Sequence, residues 1–135
     1  MKKRISSRKA KCLCGGVQFK INGDLRDVIN CHCNQCMKTH GNFASYTNCL
    51  ERNITFTKVG SLKWFRSSNF AKRGFCNICG ASIFYKKDKS SGISISAGLL
   101  ENPTKLKTYS NIFTKGKLDY YKLDPKLLRF NKYYK

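Results

Sequence analysis

The chain has 135 residues, of which 41% are hydrophobic and 13% aromatic, and this composition excludes a disordered chain and fits one folded domain. Lys and Arg outnumber Asp and Glu by 27 to 7, which gives a formal net charge of +20. Such a charge attracts anionic molecules from a distance, but by itself it identifies no partner.

The N-terminus is basic, yet it does not continue as an export signal does. Residues 1–4 resemble the charged start of a signal peptide, but polar and basic residues follow where an apolar run is needed. No stretch has the apolar length that spans a bilayer, so no membrane association is expected. We expect a cytoplasmic protein with a basic lead at residues 1–11 and a single domain at residues 12–135.

Alternation of apolar and polar residues predicts a mainly β chain. Val17, Phe19 and Ile21 alternate with polar neighbours, as in a strand with one buried face. The same pattern predicts further strands at residues 43–47, 54–59, 62–66, 70–75, 82–86, 93–97 and 109–114. Short helices are predicted at residues 34–39 and at residues 124–128, where Pro125 suits a first helical position. We therefore expect a small antiparallel β fold with little helix.

Seven of the eight cysteines fall into three close groups. The groups are Cys12-x-Cys14, Cys31-x-Cys33-x-x-Cys36 and Cys76-x-x-Cys79, the last followed by Gly80. A C-x-x-C turn lets two thiolates face one metal ion, and glycine supplies the unusual backbone angles of such a knuckle. An even number of cysteines also allows disulfides, but in a reducing compartment close spacings favour metal. The spacing therefore predicts zinc sites.

One division of these cysteines joins the two outer pairs in one site and leaves the middle group as a second site. The first site is a closed, structural one, called here the four-cysteine cluster: Cys12, Cys14, Cys76 and Cys79. The second is a three-ligand site, called here the cysteine triad: Cys31, Cys33 and Cys36. A vacant fourth position is what distinguishes catalytic from structural zinc.

Spacing alone also allows two other arrangements. The triad could complete a site with one of the outer pairs, or a fourth ligand could close it. The candidates for that ligand are His32, His40 and Cys49. Cys49 is otherwise expected to be a buried apolar thiol, as free cysteines often are.

Four segments together resemble a known family. They are CLCGGVQF at residues 12–19, CHCNQC at 31–36 with Lys38 and Gly41, KRGFCNICG at 72–80, and SAGL at 96–99 before Pro103. These segments extend over nearly the whole chain. In them the chain resembles the glutathione-dependent formaldehyde-activating enzymes and their relative centromere protein V.

The resemblance implies a mostly β fold, a structural zinc on the four-cysteine cluster and a labile, substrate-facing zinc on the triad. It also implies condensation of glutathione with formaldehyde to S-hydroxymethylglutathione, which is a carbon–sulfur lyase reaction in reverse. The chain departs from the family at Met37, where relatives often have Arg, and at Asn111, where they often have His. A late Trp is replaced by Tyr120 or Tyr121. The loss of basic groups weakens the expected recognition of glutathione's carboxylates.

Side chains near the triad are candidates for a role in the reaction. Lys38 and Arg73 are expected to offset the negative charge of a zinc ion held by three thiolates. His32, between two triad cysteines, is expected either to move a proton or to satisfy a local hydrogen bond. Phe43 and Phe75 are expected to be core or pocket wall.

A competing hypothesis is a binding module in which both zinc ions are structural and the basic surface holds nucleic acid. Phosphate contacts would come from the region 105–135 and from Lys2, Lys3, Arg4, Arg8, Lys9 and Lys11. Bases of a single strand would stack on Tyr109, Tyr120, Tyr121, Tyr133 and Tyr134.

Overall fold

A computed structural model describes residues 7–133, and within them the chain is mainly β, as predicted, with one α-helix. The helix is α1 (Asn34–His40). The strands are β1 (Arg8–Lys11), β2 (Gln18–Ile21), β3 (Val28–Cys31), β4 (Ala44–Leu50), β5 (Ile54–Lys58), β6 (Leu62–Arg66), β7 (Ala71–Cys76), β8 (Ser82–Lys87), β9 (Gly92–Ser96), β10 (Thr108–Ile112) and β11 (Leu128–Arg129). Within residues 7–133, α1 is far too short and polar to cross a membrane, and no other helix qualifies.

The described strands form two sheets. The smaller has the order β1-β2-β5 and is antiparallel. The larger has the order β11-β10-β3-β4-β9-β8-β7-β6. Strand β10 runs parallel to both β3 and β11, so the larger sheet is mixed at this end, while its other strand pairs are antiparallel, as predicted. This parallel pairing brings the late part of the chain beside the strand that ends in Cys31.

The main core lies where the smaller sheet meets β8 and β9. Val17, Phe19 and Ile21, whose alternation predicts a strand, are at most 1% exposed. The Phe19 ring lies 5.1 Å from the Phe84 ring of β8, and the Trp64 ring stacks on Phe84 with centroids 5.7 Å apart. Removing this apolar surface from water, at about 25 cal/mol per Å², holds the two sheets together.

Strands β1 and β3 are not predicted from the sequence. Strand β1 lies within the predicted basic lead, where Ala10 is the one buried residue of the strand and pairs with Phe19. In β3 the consecutive residues Ile29, Asn30 and Cys31 are all buried, because this inner strand is covered on both faces. A strand buried on both faces has no alternation to detect.

The predicted helix at residues 124–128 is wrong. The Asp124 carboxylate accepts a hydrogen bond from the Lys126 amide at 2.9 Å, and the Asp124 carbonyl accepts one from Leu127 at 3.2 Å. These bonds make a turn, after which Leu128 pairs with Ser110 of β10 and begins β11. Pairing with the larger sheet therefore overrides the local preference for helix.

The helix predicted at residues 34–39 is confirmed as α1. Its N-cap is Cys33, whose sulfur accepts a hydrogen bond from the Cys36 amide at 3.3 Å. It ends at Gly41, which has a φ of 100° and donates its amide hydrogen to the Met37 carbonyl at 2.8 Å. The end of β3 and the first turn of α1 thereby hold the triad cysteines at one junction.

Candidate functional site

The four sulfurs of the four-cysteine cluster lie within 4.8 Å of one another. The Cys14 sulfur is 3.7 Å from that of Cys12 and 3.6 Å from that of Cys76. A tetrahedral zinc ion with Zn–S bonds of about 2.3 Å places its sulfurs roughly 3.8 Å apart. The side chains of this cluster therefore fit such an ion, and they join the segment after β1 to the end of β7.

Hydrogen-bond donors around Cys76 favour the thiolate form of this residue. The Cys76 sulfur accepts hydrogen bonds from the amides of Ile78 at 3.4 Å and Cys79 at 3.5 Å, and the Ser61 hydroxyl lies 3.2 Å away. The Cys79 amide and then the Ser61 hydroxyl lower the pKa of Cys76 to about 6. Gly80 has a φ of 78°, which lies in the left-handed region that glycine adopts without steric cost.

The three sulfurs of the cysteine triad also lie within 4.8 Å of one another. Hydrogen bonds from the thiols of Cys31 and Cys36 lower the pKa of Cys33. Within residues 7–133 no further His, Cys, Asp or Glu joins this group. Of the alternative fourth ligands, His40 bonds the Tyr46 hydroxyl at 3.3 Å and Cys49 is buried in the main core. The triad thus offers an ion three protein ligands.

Arg73 provides a buried positive charge beside the triad. It is 5% exposed, and its Nη2 lies 3.5 Å from the Cys36 sulfur. Its other nitrogens donate to the Tyr46 hydroxyl at 2.8 Å and to the Gln35 side-chain oxygen at 3.3 Å. Burial lowers the pKa of Arg73, but nearby Tyr46, Cys36 and Cys33 outweigh it, so the pKa is raised. The guanidinium therefore stays charged against the sulfurs.

Lys38 and His32, the other candidates from the sequence, are not brought to the same place. Lys38 is exposed on α1. His32 is fully buried, with Nε2 2.9 Å from the Asn111 side-chain oxygen and its ring packed against Phe43 and Tyr121. Burial lowers the pKa of His32. Asn111, one of the departures from the family pattern, thus serves as the hydrogen-bond partner of this histidine.

A cavity of about 540 Å³, called here the triad cavity, opens beside the three sulfurs. Arg73 and Tyr46 line it, and neither Lys38 nor His32 does. Tyr46 is not among the residues predicted from the sequence. Its alternation with Ala44 places both residues on one face of β4, but the pairing of Ala44 with Cys31 decides that this face meets the triad.

The nucleic-acid hypothesis stays a prediction. Lys2, Lys3, Arg4 and Tyr134 lie outside the described residues. Of the remaining tyrosines, Tyr121 packs on His32 and Tyr133 packs on Phe113, whereas Tyr109 and Tyr120 are exposed. Tyr121 and Tyr133 therefore each use part of their ring surface within the protein.

The fold and the site define a class: a mainly β protein with two cysteine clusters that could hold metal ions, one of them beside a cavity. Residues 7–116 match the family model described as glutathione-dependent formaldehyde-activating enzyme. The chain belongs to this family, as its sequence motifs predict. Residues 117–133, which include β11, lie outside the matched region.

Comparison of folds gives a similar solved structure. It is the crystal structure of a Rhodobacter sphaeroides protein determined as a structural genomics target, with a TM-score of 0.59 and 17% sequence identity. The match covers 90% of this chain and 98% of that one, so the two share their fold over nearly their whole lengths. No curated protein sequence matches the chain.

Proposed function

We propose that the protein catalyses the reversible addition of a thiol to an aldehyde, making and breaking the carbon–sulfur bond of an S-hydroxymethyl thiol. The observation that carries this proposal is the group of three sulfurs, with a buried arginine against one of them, beside a cavity. Glutathione and formaldehyde are the substrates in the family's description and are the first pair to test. We place the reaction in the cytoplasm, where thiols are kept reduced.

The donor sets are suited to two zinc ions of different kinds. The four-cysteine cluster would hold a structural ion with four protein ligands, and the triad would hold a labile one with three. When bound at the triad, Zn²⁺ supplies an open position that lowers the pKa of a substrate thiol while leaving its sulfur nucleophilic.

The chain's own groups account for charge and protons in this reaction. The thiol loses its S–H bond, a C–S bond forms, and the aldehyde oxygen gains the proton and becomes a hydroxyl. Arg73 offsets the negative charge that collects on the sulfurs. Burial raises the pKa of Tyr46, so its hydroxyl remains protonated in the cavity wall and can donate a hydrogen bond to the oxygen that gains charge.

Removal of the labile metal is expected to remove the activity. Protein prepared anaerobically should contain two zinc ions per chain, one for each cluster, and mild chelation should remove the one with three protein ligands. Elemental analysis measures zinc, and ¹³C exchange spectroscopy with labelled formaldehyde and glutathione measures turnover. Restored turnover on adding Zn²⁺ is the positive result. Two ions that both resist chelation would contradict the proposal, and so would turnover that survives the loss of the labile ion.

Replacement of Arg73 by methionine is expected to lower kcat by roughly 10- to 100-fold, the usual effect of losing a group that supports metal ligands. Methionine keeps much of the length but leaves the Cys36 sulfur and the Tyr46 hydroxyl without their cationic donor. The same exchange assay measures the effect. Arg66→Met is the matched control, because Arg66 is exposed and pairs with Asp88 at 2.7 Å on the surface. Equal kcat in the two variants would remove Arg73 from the reaction.

A further inference from the structure

Aromatic rings form much of the wall of the triad cavity, and they come from distant parts of the chain. Phe70 precedes β7, Tyr85 lies in β8, Phe113 follows β10, and Tyr133 belongs to the segment beyond the family match. The Phe113 and Tyr133 rings meet edge to face, with centroids 5.0 Å apart and planes at 73°. Phe70 remains 48% exposed and Tyr133 55% exposed, so both rings offer surface for contact.

Charged groups are scarce in this cavity although the chain carries a net charge of +20. Among the described residues that line it, there is no Lys, Asp or Glu, and the cations are Arg26 and Arg73. Arg73 is held by Cys36, Tyr46 and Gln35, and Arg26 donates to the Tyr46 carbonyl at 3.0 Å. Glutathione carries two carboxylates and an ammonium group, and the described lining offers no acidic partner for the latter.

The cavity is much larger than the aldehyde needs, so its size indicates where the thiol substrate is accommodated. A water molecule occupies about 30 Å³ of liquid, and formaldehyde is only slightly larger, whereas the cavity measures about 540 Å³. Space of this size beside the sulfurs is therefore available to the body of the second substrate. Apolar walls favour an apolar body, since burying it removes two apolar surfaces from water at once.

The backbone at Phe113 is held in an unusual conformation that ends β10 at the cavity. Phe113 has a φ of 54° and a ψ of 39°, the left-handed region that a bulky residue seldom adopts. Its amide donates to the Lys132 carbonyl at 2.9 Å, which ties the segment carrying Tyr133 to this point. Strain of this kind persists where the surrounding structure enforces it, often at a binding site.

We infer that the thiol substrate of this site has an apolar, ring-bearing body, and that Phe70 and Tyr133 select it over an anionic peptide thiol such as glutathione. The inference rests on the proposed function and names the class of its thiol. The aromatic faces would stack on the ring of the substrate, while its sulfur points to the triad.

Formaldehyde exchange with benzyl mercaptan and with glutathione tests this inference on the zinc-loaded protein. Each catalysed rate is divided by the uncatalysed rate of the same thiol, which corrects for their different acidities. We expect kcat/KM to favour benzyl mercaptan by at least roughly 10-fold. Preference for glutathione would overturn the inference while upholding the proposed function. If neither thiol is turned over, the proposed function fails, and binding of the two thiols by calorimetry decides the inference: tighter glutathione binding overturns it.

Substitutions in the cavity wall test whether Phe70 and Tyr133 cause the preference for benzyl mercaptan. Tyr133→Ala and Phe70→Ala are each expected to raise KM for benzyl mercaptan by roughly 2- to 10-fold, the effect of losing one ring contact. KM for glutathione should change less, because glutathione has no ring to stack on these side chains. Tyr120→Ala is the matched control, because Tyr120 is 69% exposed and lies outside the cavity. Wall variants that behave like this control would overturn the inference.

Discussion

Replacement of Cys33 by alanine is expected to abolish thiol–aldehyde exchange while the protein remains folded. The change leaves two of the three triad sulfurs, too few to hold the labile ion proposed for this site, to which the triad offers three ligands. Loss of several kcal/mol of transition-state stabilisation corresponds to a decrease in kcat/KM of roughly 10²- to 10⁴-fold.

The same substitution has a small and separate cost in stability. Cys33 caps α1 through the Cys36 amide, and losing an N-cap side chain costs about 1 kcal/mol. Thermal unfolding by circular dichroism should therefore shift by only a few degrees. Cys49→Ala is the control, since Cys49 is buried in the main core and belongs to neither group of sulfurs. Full turnover in the Cys33 variant would contradict the hypothesis that the cysteine triad is catalytic.

Replacement of Cys76 by serine is expected to destabilise the whole fold. Cys76 is fully buried, and its sulfur accepts hydrogen bonds from two amides beside the Ser61 hydroxyl. Structural zinc contributes about 10–16 kcal/mol in zinc-finger peptides, which equals or exceeds the total stability of a typical domain, about 5–15 kcal/mol. Weakening one of four ligands should therefore lower the Tm by more than about 10 °C.

Differential scanning calorimetry and zinc analysis of the Cys76 variant measure this loss. Cys49→Ser makes the same chemical change at a buried cysteine outside both groups, and it should keep both the zinc content and most of the Tm. If the two variants melt together and bind equal zinc, the four-cysteine cluster does not hold a structural ion.

The sequence predicts those parts of the fold whose strands have one covered face. Val17, Phe19 and Ile21 alternate because one side of β2 meets the core. Strand β3 escapes prediction because Ile29, Asn30 and Cys31 are buried in succession. Strand β11 also escapes it, because its two residues become a strand only through pairing with β10.

The candidate site divides in the same way. Spacing places cysteines near one another because a short turn fixes the distance between them, as in the helical turn from Cys33 to Cys36. Sheet register brings Tyr46 to the triad cavity, and a left-handed backbone turn brings Phe113 and Tyr133 there. Neither the register nor the turn produces a pattern that can be recognised in the local sequence. The aromatic wall of the cavity is therefore not predicted from the sequence, although the sulfurs and Arg73 are.

The two sets of sulfurs differ in how far apart they lie along the chain. Cys33 and Cys36 are three residues apart, whereas Cys14 and Cys76 are separated by 62 residues. Closing a short segment costs little entropy and takes well under a microsecond, while a long loop closes at a greater entropic cost. On a growing polypeptide the triad is complete before Cys76 has been made. The triad can therefore assemble early, whereas the four-cysteine cluster can form only after Cys79 has been made and the end of β7 has reached the segment after β1.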